Sequence, residues 1–199
     1  MALLLAAACG CSGRGASSVP SAAVDGDEAA AALIAELDDD GNGAISQDEA
    51  KALPPLARAF AAYDPNRDGA LAADEIAARL QQLYGPSVSL TAVQCSITQA
   101  GRPLSGAKVV FRPPAMLGDS VKTAEGTTDE LGMAAPSLPE ADLPERLKGA
   151  PLMYPGLYLV EVTHPQLKLP AKYNTATELG CEIDPAVRGG ANVAFDLKP

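Results

Sequence analysis

The spacing of apolar residues changes character at residue 87. Before it, apolar positions recur at helical spacing. The first predicted helix begins at Asp27, and one of its faces carries Ala30, Leu33, Ile34 and Leu37. A helix that starts at Pro54-Pro55, where proline suits the first turn, repeats the pattern with Leu56, Ala59, Phe60 and Tyr63. A short helix over 47–53 precedes it, and a last helix stops before Gly85. The pattern predicts two helix pairs.

After residue 87 the helical period disappears, and β-branched runs separated by Gly and Pro replace it. The predicted strands cover residues 89–98, 107–111, 120–128, 132–135, 156–163, 178–183 and 191–197. About seven short strands within roughly 110 residues are typical of a β-sandwich. The predicted fold class is therefore multi-domain, with α-helical pairs followed by an all-β sandwich.

Each helix pair encloses a twelve-residue acidic stretch, DDDGNGAISQDE at 38–49 and DPNRDGALAADE at 64–75. Both place oxygen-bearing side chains at positions 1, 3 and 5, glycine at position 6, an aliphatic residue at position 8 and glutamate at position 12. A hard divalent cation needs this pattern, because alternate residues of a tight loop can direct oxygens inward and the last carboxylate can supply two. Two such stretches in tandem favour a paired calcium site over a solvated acidic surface.

The repeated unit includes the helix before each loop, because the apolar residues stand at the same offsets from both loops. Residues 27–84 resemble a tandem EF-hand. The resemblance implies that the first ion is bound by Asp38, Asp40, Asn42, the Ala44 carbonyl, Ser46 and Glu49. It implies that the second ion is bound by Asp64, Asn66, Asp68, the Ala70 carbonyl and Glu75.

The second loop departs from the EF-hand pattern at two positions. Ala72 offers no side-chain oxygen at position 9, where water must fill in, and Pro65 stiffens position 2. We expect micromolar to millimolar dissociation constants, with the second site weaker. Ile45 and Leu71, both at position 8, are expected to pair their backbones across the two loops.

The acidity of the chain belongs to this part of the sequence. Residues 25–75 carry thirteen acidic and three basic side chains, which accounts for the whole net charge of −10, and the remainder is balanced. No basic patch favours binding to nucleic acid or to anionic lipid.

The N-terminal stretch MALLLAAACGCSGRG is too short to span a bilayer. It resembles the end of a bacterial lipoprotein signal peptide, in which an apolar run meets a lipidated cysteine. Cys9 is the first candidate and Cys11 the second, while the alternative is a short disordered apolar tail. We expect a signal segment over 1–11, a flexible tether over 12–26, and a protein that is lipid-anchored in the cell envelope, on its periplasmic face or at the cell surface. The anchor would be its only membrane attachment.

Cys95 and Cys181 lie near opposite ends of the predicted sandwich. In an oxidising envelope they could form a disulfide worth roughly 3–5 kcal/mol by chain-entropy reasoning. The alternative is a pair of buried thiols.

The second half of the chain, residues 88–199, carries GRPLSGAKVVFRP, TTDELGMA and PGLYLVEV in that order. These stretches resemble the carboxypeptidase-regulatory or transthyretin-like sandwich, which has an Ig-like fold. The closing LPAKYN…FDL resembles versions found in bacterial envelope lipoproteins. The resemblance implies a structural or interaction module, without the catalytic residues of enzymes that share related folds.

The sequence offers little for catalysis. The single histidine, His164, ends a predicted strand, no motif marks a nucleophile, and Lys172-Tyr173-Asn174 is expected to have a structural role. We expect a non-enzymatic, calcium-binding envelope lipoprotein with an envelope protein or polysaccharide as a candidate partner. The alternatives are a calcium-dependent adhesive or ligand-carrier protein, or an accessory subunit of an envelope enzyme system.

Overall fold

The computed structural model describes residues 22–85, 88–186 and 190–198. Three α-helices lie before the strand-rich part: α1 (Gly26–Leu37), α2 (Pro54–Tyr63) and α3 (Ala73–Tyr84). Asp25 caps α1, since its carboxylate accepts the backbone N–H groups of Asp27 and Glu28 at 3.0 and 3.2 Å. Helix α2 begins at Pro54, as the sequence predicts.

The short helix predicted over 47–53 is a 3₁₀ helix at Glu49–Ala52. Pro54 explains why it stays short, because proline disfavours a helical conformation in the residue before it, and Leu53 is extended with φ −120° and ψ 91°. Between the helices, strands β1 (Ile45–Ser46) and β2 (Ala70–Leu71) form a small antiparallel ribbon. Ile45 pairs with Leu71, which confirms the predicted pairing of the two loops.

Two four-stranded sheets follow. The first contains β3 (Val93–Gln99), β4 (Arg102–Pro103), β7 (Met133–Ala134) and β10 (Ala191–Leu197), with β10 parallel to β3. The second is antiparallel in the order β6-β5-β8-β9, formed by Lys108–Arg112 (β5), Ala124–Thr127 (β6), Gly156–Thr163 (β8) and Gly180–Ile183 (β9). The strands at 156–163 and 191–197 have the predicted bounds. The one predicted at 120–128 is shorter, Ala124–Thr127, and 3₁₀ turns that end at Ser120 precede it.

Helices α2 and α3 pack directly on the second sheet, and the buried apolar side chains of the described residues belong to one core. The guanidinium of Arg58 on α2 donates to the Gly180 carbonyl of β9 at 2.9 Å. A Cβ atom at Gly180 would overlap Pro55, and one at Gly156 would overlap the ring of Tyr84. Glycine at these two strand positions therefore allows α2 and α3 to approach the sheet closely.

The folded part begins earlier than predicted. Residues 22–25 fall within the predicted tether, yet Ala22 is buried and the Ser120 hydroxyl donates to the Ala23 carbonyl at 2.8 Å. The tether prediction is therefore wrong for these residues, which the contact with the 3₁₀ turn at Ala115–Ser120 holds in place. The predicted signal segment, with Cys9 and Cys11, lies outside the described residues. Within the described ranges, no helix has the length and apolar composition needed to cross a membrane.

Cys95 and Cys181 are both buried, free thiols, so the disulfide predicted between them is not present in this structure. They lie on strands of different sheets, β3 and β9. Burial raises the pKa of each thiol to about 12. Because the thiolate is the reactive form, both groups are poorly suited to oxidation or exchange at neutral pH.

Candidate metal centre

The first acidic loop is organised around the carboxylate of Asp38, which ends α1. One oxygen of Asp38 accepts the N–H groups of Gly41 and Asn42 at 2.9 and 3.2 Å, and the other accepts that of Gly43 at 2.8 Å. Gly43 has φ +87°, a conformation that side chains other than glycine rarely adopt. Position 6 thus makes the sharp turn that the sequence predicts, and the chain wraps around the carboxylate at position 1.

The next two predicted ligands continue this arrangement. An Asp40 oxygen accepts the N–H of Asn42 at 3.0 Å, and the Asn42 amide oxygen accepts that of Ala44 at 2.8 Å. Each side chain therefore folds back onto the backbone of the loop, although both residues are exposed. Ala44, the predicted carbonyl ligand, stands immediately before β1.

Glu49 closes the loop from its far end. One oxygen accepts both the hydroxyl and the N–H of Ser46, each at 2.7 Å, and the other accepts the N–H of Asp39 at 2.9 Å. The hydrogen bond from the Ser46 hydroxyl, followed by the backbone bonds, holds the pKa of Glu49 below its usual value. The carboxylate is thus kept in the charged form that a cation requires.

Asp38, Asp40 and Glu49 come together in the first loop. Carboxylate oxygens of the three lie within 4.8 Å of one another. Like charges at this separation repel, and a divalent cation between them would convert the repulsion into attraction. The donor set consists of oxygens only, which suits calcium or magnesium and not a metal that prefers nitrogen or sulfur.

The second loop repeats the backbone pattern. Asp64 accepts the N–H groups of Asp68 and Gly69 at 3.2 and 3.1 Å, and Asn66 accepts that of Asp68 at 2.7 Å. The Asp68 carboxylate accepts the N–H of Ala70, the first residue of β2, at 3.0 Å. Gly69 has φ +86°, nearly the same as its counterpart in the first loop.

Glu75 carries the clearest sign of a missing partner in the second loop. One of its oxygens accepts the N–H of Ala72 at 3.0 Å, while the other is buried and has no hydrogen-bond donor among the described residues. A buried charged oxygen without a partner is costly, and a cation would satisfy it. Asp64, Asp68 and Glu75 are less closely gathered than the carboxylates of the first loop, which form the one such three-residue cluster in the described residues.

The other polar residues singled out from the sequence hold loops together. One ring nitrogen of His164 is 2.9 Å from the Ser105 carbonyl, and the other accepts the N–H groups of Gln166 and Leu167 at 3.1 Å. The Tyr173 hydroxyl donates to the Lys198 carbonyl at 2.7 Å, and the Asn174 amide donates to the Pro170 carbonyl at 3.1 Å.

A polar contact between α3 and the second sheet was not predicted. The guanidinium of Arg79 binds both carboxylate oxygens of Glu182 and, at 3.0 Å, one oxygen of Asp184. Burial opposes the charge on Arg79, but the two carboxylates outweigh it and raise its pKa. Burial also opposes the charge on Asp184 and so raises its pKa. The hydrogen bonds from the Ala186 N–H and from Arg79 outweigh this effect and hold the pKa below its usual value. Gly156, which opens a predicted strand, is a sequence signal for a close approach of α3 here, since a Cβ atom at this position would overlap Tyr84.

The sequence matches no protein-family model and no curated protein. Among solved structures, the fold has a weak likeness to a DUF3823 family protein from Parabacteroides merdae, with a TM-score of 0.34 and 7% identity over 56% of this chain and 46% of that one. A leucine-rich repeat protein from Bacteroides thetaiotaomicron matches with a TM-score of 0.27 and 15% identity over 55% of this chain and 12% of that one. The chain thus spans less than half the length of either protein, and likenesses this weak carry no argument about function.

Proposed function

We propose that residues 26–84 form a tandem EF-hand that binds two calcium ions. The observation that carries the proposal is the convergence of Asp38, Asp40 and Glu49, whose carboxylate oxygens lie within 4.8 Å of one another. The buried, unpartnered oxygen of Glu75 at the same position of the second loop supports a second site. The ribbon of β1 and β2 would couple the two sites mechanically.

Calcium fits the proposed ligand set better than magnesium does. Each loop offers three carboxylates, an amide or hydroxyl oxygen and a carbonyl, which is enough for the six to eight oxygens of a calcium shell. The glutamate at position 12 can supply both of its oxygens, whereas magnesium demands a smaller octahedral shell and retains more water. In this proposal the ions neutralise the charge of the acidic loops and stabilise the fold.

In the same proposal the chain is a non-enzymatic lipoprotein of the bacterial cell envelope, anchored through Cys9 or Cys11. The two sheets form a transthyretin-like sandwich that serves as a structural or interaction module, with an envelope protein or polysaccharide as its partner. The structural use of His164 and Tyr173 supports a non-catalytic role, since both are engaged in holding loops. Calcium is abundant outside the cytoplasm, so the loops would stay occupied there.

Calorimetric titration with calcium tests the proposal. We expect two binding events in the natural chain and one in each of Glu49→Gln and Glu75→Gln, because each change removes the ligand that closes one loop. Asp39→Asn is the matched control, since it removes a charge from the same loop at position 2, which is not a ligand position. Absence of binding at several millimolar calcium, or equal loss in the control, would contradict the proposal.

A further inference from the structure

The second loop is joined to the second sheet through the helix that follows it. Tyr63 immediately precedes its first ligand, Asp64, and Arg79 lies one helical turn after its last, Glu75. Arg79 binds Glu182 on β9, and its side chain is only 13% exposed. Tyr63 is fully buried, and its hydroxyl has no hydrogen-bond partner among the described residues. The ion pair with Glu182 thus holds the helix that carries Glu75 against the sheet.

Among the described residues, no ion pair joins the helices that flank the first loop to a strand of the second sheet. The residue that precedes its first ligand is Leu37, and the residue four positions after Glu49 is Leu53. Both are apolar and pack in the core or against it. The two loops therefore share a sequence pattern but differ in what holds their flanking helices.

We propose that Arg79, held by Glu182 and Asp184, is a positioning residue that fixes the carboxylate of Glu75 and so sets the cation affinity of the second loop alone. Glu75 and Arg79 lie at positions i and i+4 of the same helix, so a rotation of α3 moves both side chains together. The contacts of the Arg79 guanidinium with Glu182 and Asp184 oppose that rotation, because a guanidinium bound to two carboxylates has a fixed orientation. This inference rests on the proposed calcium binding.

The coupling must operate in both directions. If the sheet contact tightens cation binding, cation binding tightens the sheet contact by the same factor. Cys181 can report this, because it lies on β9 in a small cleft of about 210 Å³ lined also by Arg58, Ala59 and Ala62 of α2. When the helices loosen from the sheet, this buried thiol becomes accessible to a labelling reagent.

Calorimetry in two single-site backgrounds tests the inference. In Glu49→Gln, where only the second loop binds, Arg79→Met is expected to weaken calcium affinity about 10-fold, which is typical for a partner that orients a metal ligand. In Glu75→Gln, where only the first loop binds, the same change is expected to leave affinity within about twofold. Glu182→Gln should act in the same direction as Arg79→Met.

Arg112→Met is the matched control. Arg112 forms an arginine–glutamate ion pair on the second sheet, in which its Nε and Nη2 contact one oxygen of Glu161 at 2.8 and 2.6 Å, and it belongs to the strands and not to the helices. It should leave both affinities unchanged. Arg79→Lys keeps the charge but loses the fork, and is expected to restore only part of the affinity.

A second measurement follows labelling of Cys181 by mass spectrometry in the Glu49→Gln background. Calcium is expected to slow labelling about 10-fold, and Arg79→Met is expected to remove most of this protection. Equal loss of affinity at both loops, or no loss in Arg79→Met and Glu182→Gln, would overturn the inference. Failure of the parent chain to bind calcium at either loop would instead overturn the proposed function.

Discussion

At the scale of single residues, the two acidic loops are most alike where the backbone geometry is most demanding. Gly43 and Gly69 have φ values of +87° and +86°, and position 4 is also left-handed in both loops, with Gly41 at +73° and Arg67 at +61°. Arginine pays a steric cost there that glycine does not. The second loop is therefore the more strained of the two.

This difference predicts that Arg67→Gly stabilises the chain. The strain relieved is about 1–2 kcal/mol, and the greater freedom of glycine in the unfolded chain cancels part of it, so a net gain of about 0.5–1 kcal/mol is expected. Arg67→Ala is the control, since it removes the same charge and keeps the strain. Urea unfolding should rank the glycine variant above the alanine variant, and the reverse order would disprove strain at this position.

At the scale of elements, local signals predicted much of the helical part and two complete strands. Pro54 marks the start of α2, the loop glycines mark the turns, and the alternation over 156–163 and 191–197 matches β8 and β10. The packing of the helices on β9 could not be predicted in this way, because Arg79 and Glu182 are 103 positions apart. Sequence periodicity reports which face of an element is buried but not which element covers it.

The close approach of α2 to β9 predicts the effect of a methyl group at Gly180. A Cβ atom there would overlap backbone and ring atoms of Pro55, which cannot move aside without displacing the helix. Gly180→Ala is expected to destabilise the chain by about 1–3 kcal/mol, the usual cost of overpacking. Gln94→Ala, at an exposed position of β3, serves as the control in thermal unfolding. Equal stability of the two variants would show that the helix does not rest on the strand.

At the scale of the whole molecule, the shared core links the stability of the acidic loops to that of the sheets. The loops could have belonged to a separate module joined to the sheets by a linker, but the helices that flank them share buried contacts with β8 and β9. A ligand that binds only the folded state stabilises everything that unfolds together with its site. Calcium bound at the loops should therefore stabilise the sheets as well as the helices.

This predicts one unfolding transition whose midpoint rises with calcium. At a free concentration 100 times the dissociation constant, a single site should add about 2.7 kcal/mol. Helix content from circular dichroism and exposure of the Cys95 thiol on β3 should change at the same denaturant concentration, with and without a chelator. A shift of the helix signal alone would show that the sheets fold independently of the metal loops.

The parallel pairing of β10 with β3 has a consequence for how the chain is made. Thr98 and Asp196 are joined by a hydrogen bond of 2.8 Å although 98 positions separate them. Strand β3 is synthesised about 90 residues before β10 and remains without this partner during that interval. Pairings this distant form late, because the intervening loop must close first. The first sheet therefore stays incomplete until residues 191–197 have been synthesised, and β3 keeps one edge without its partner strand until then.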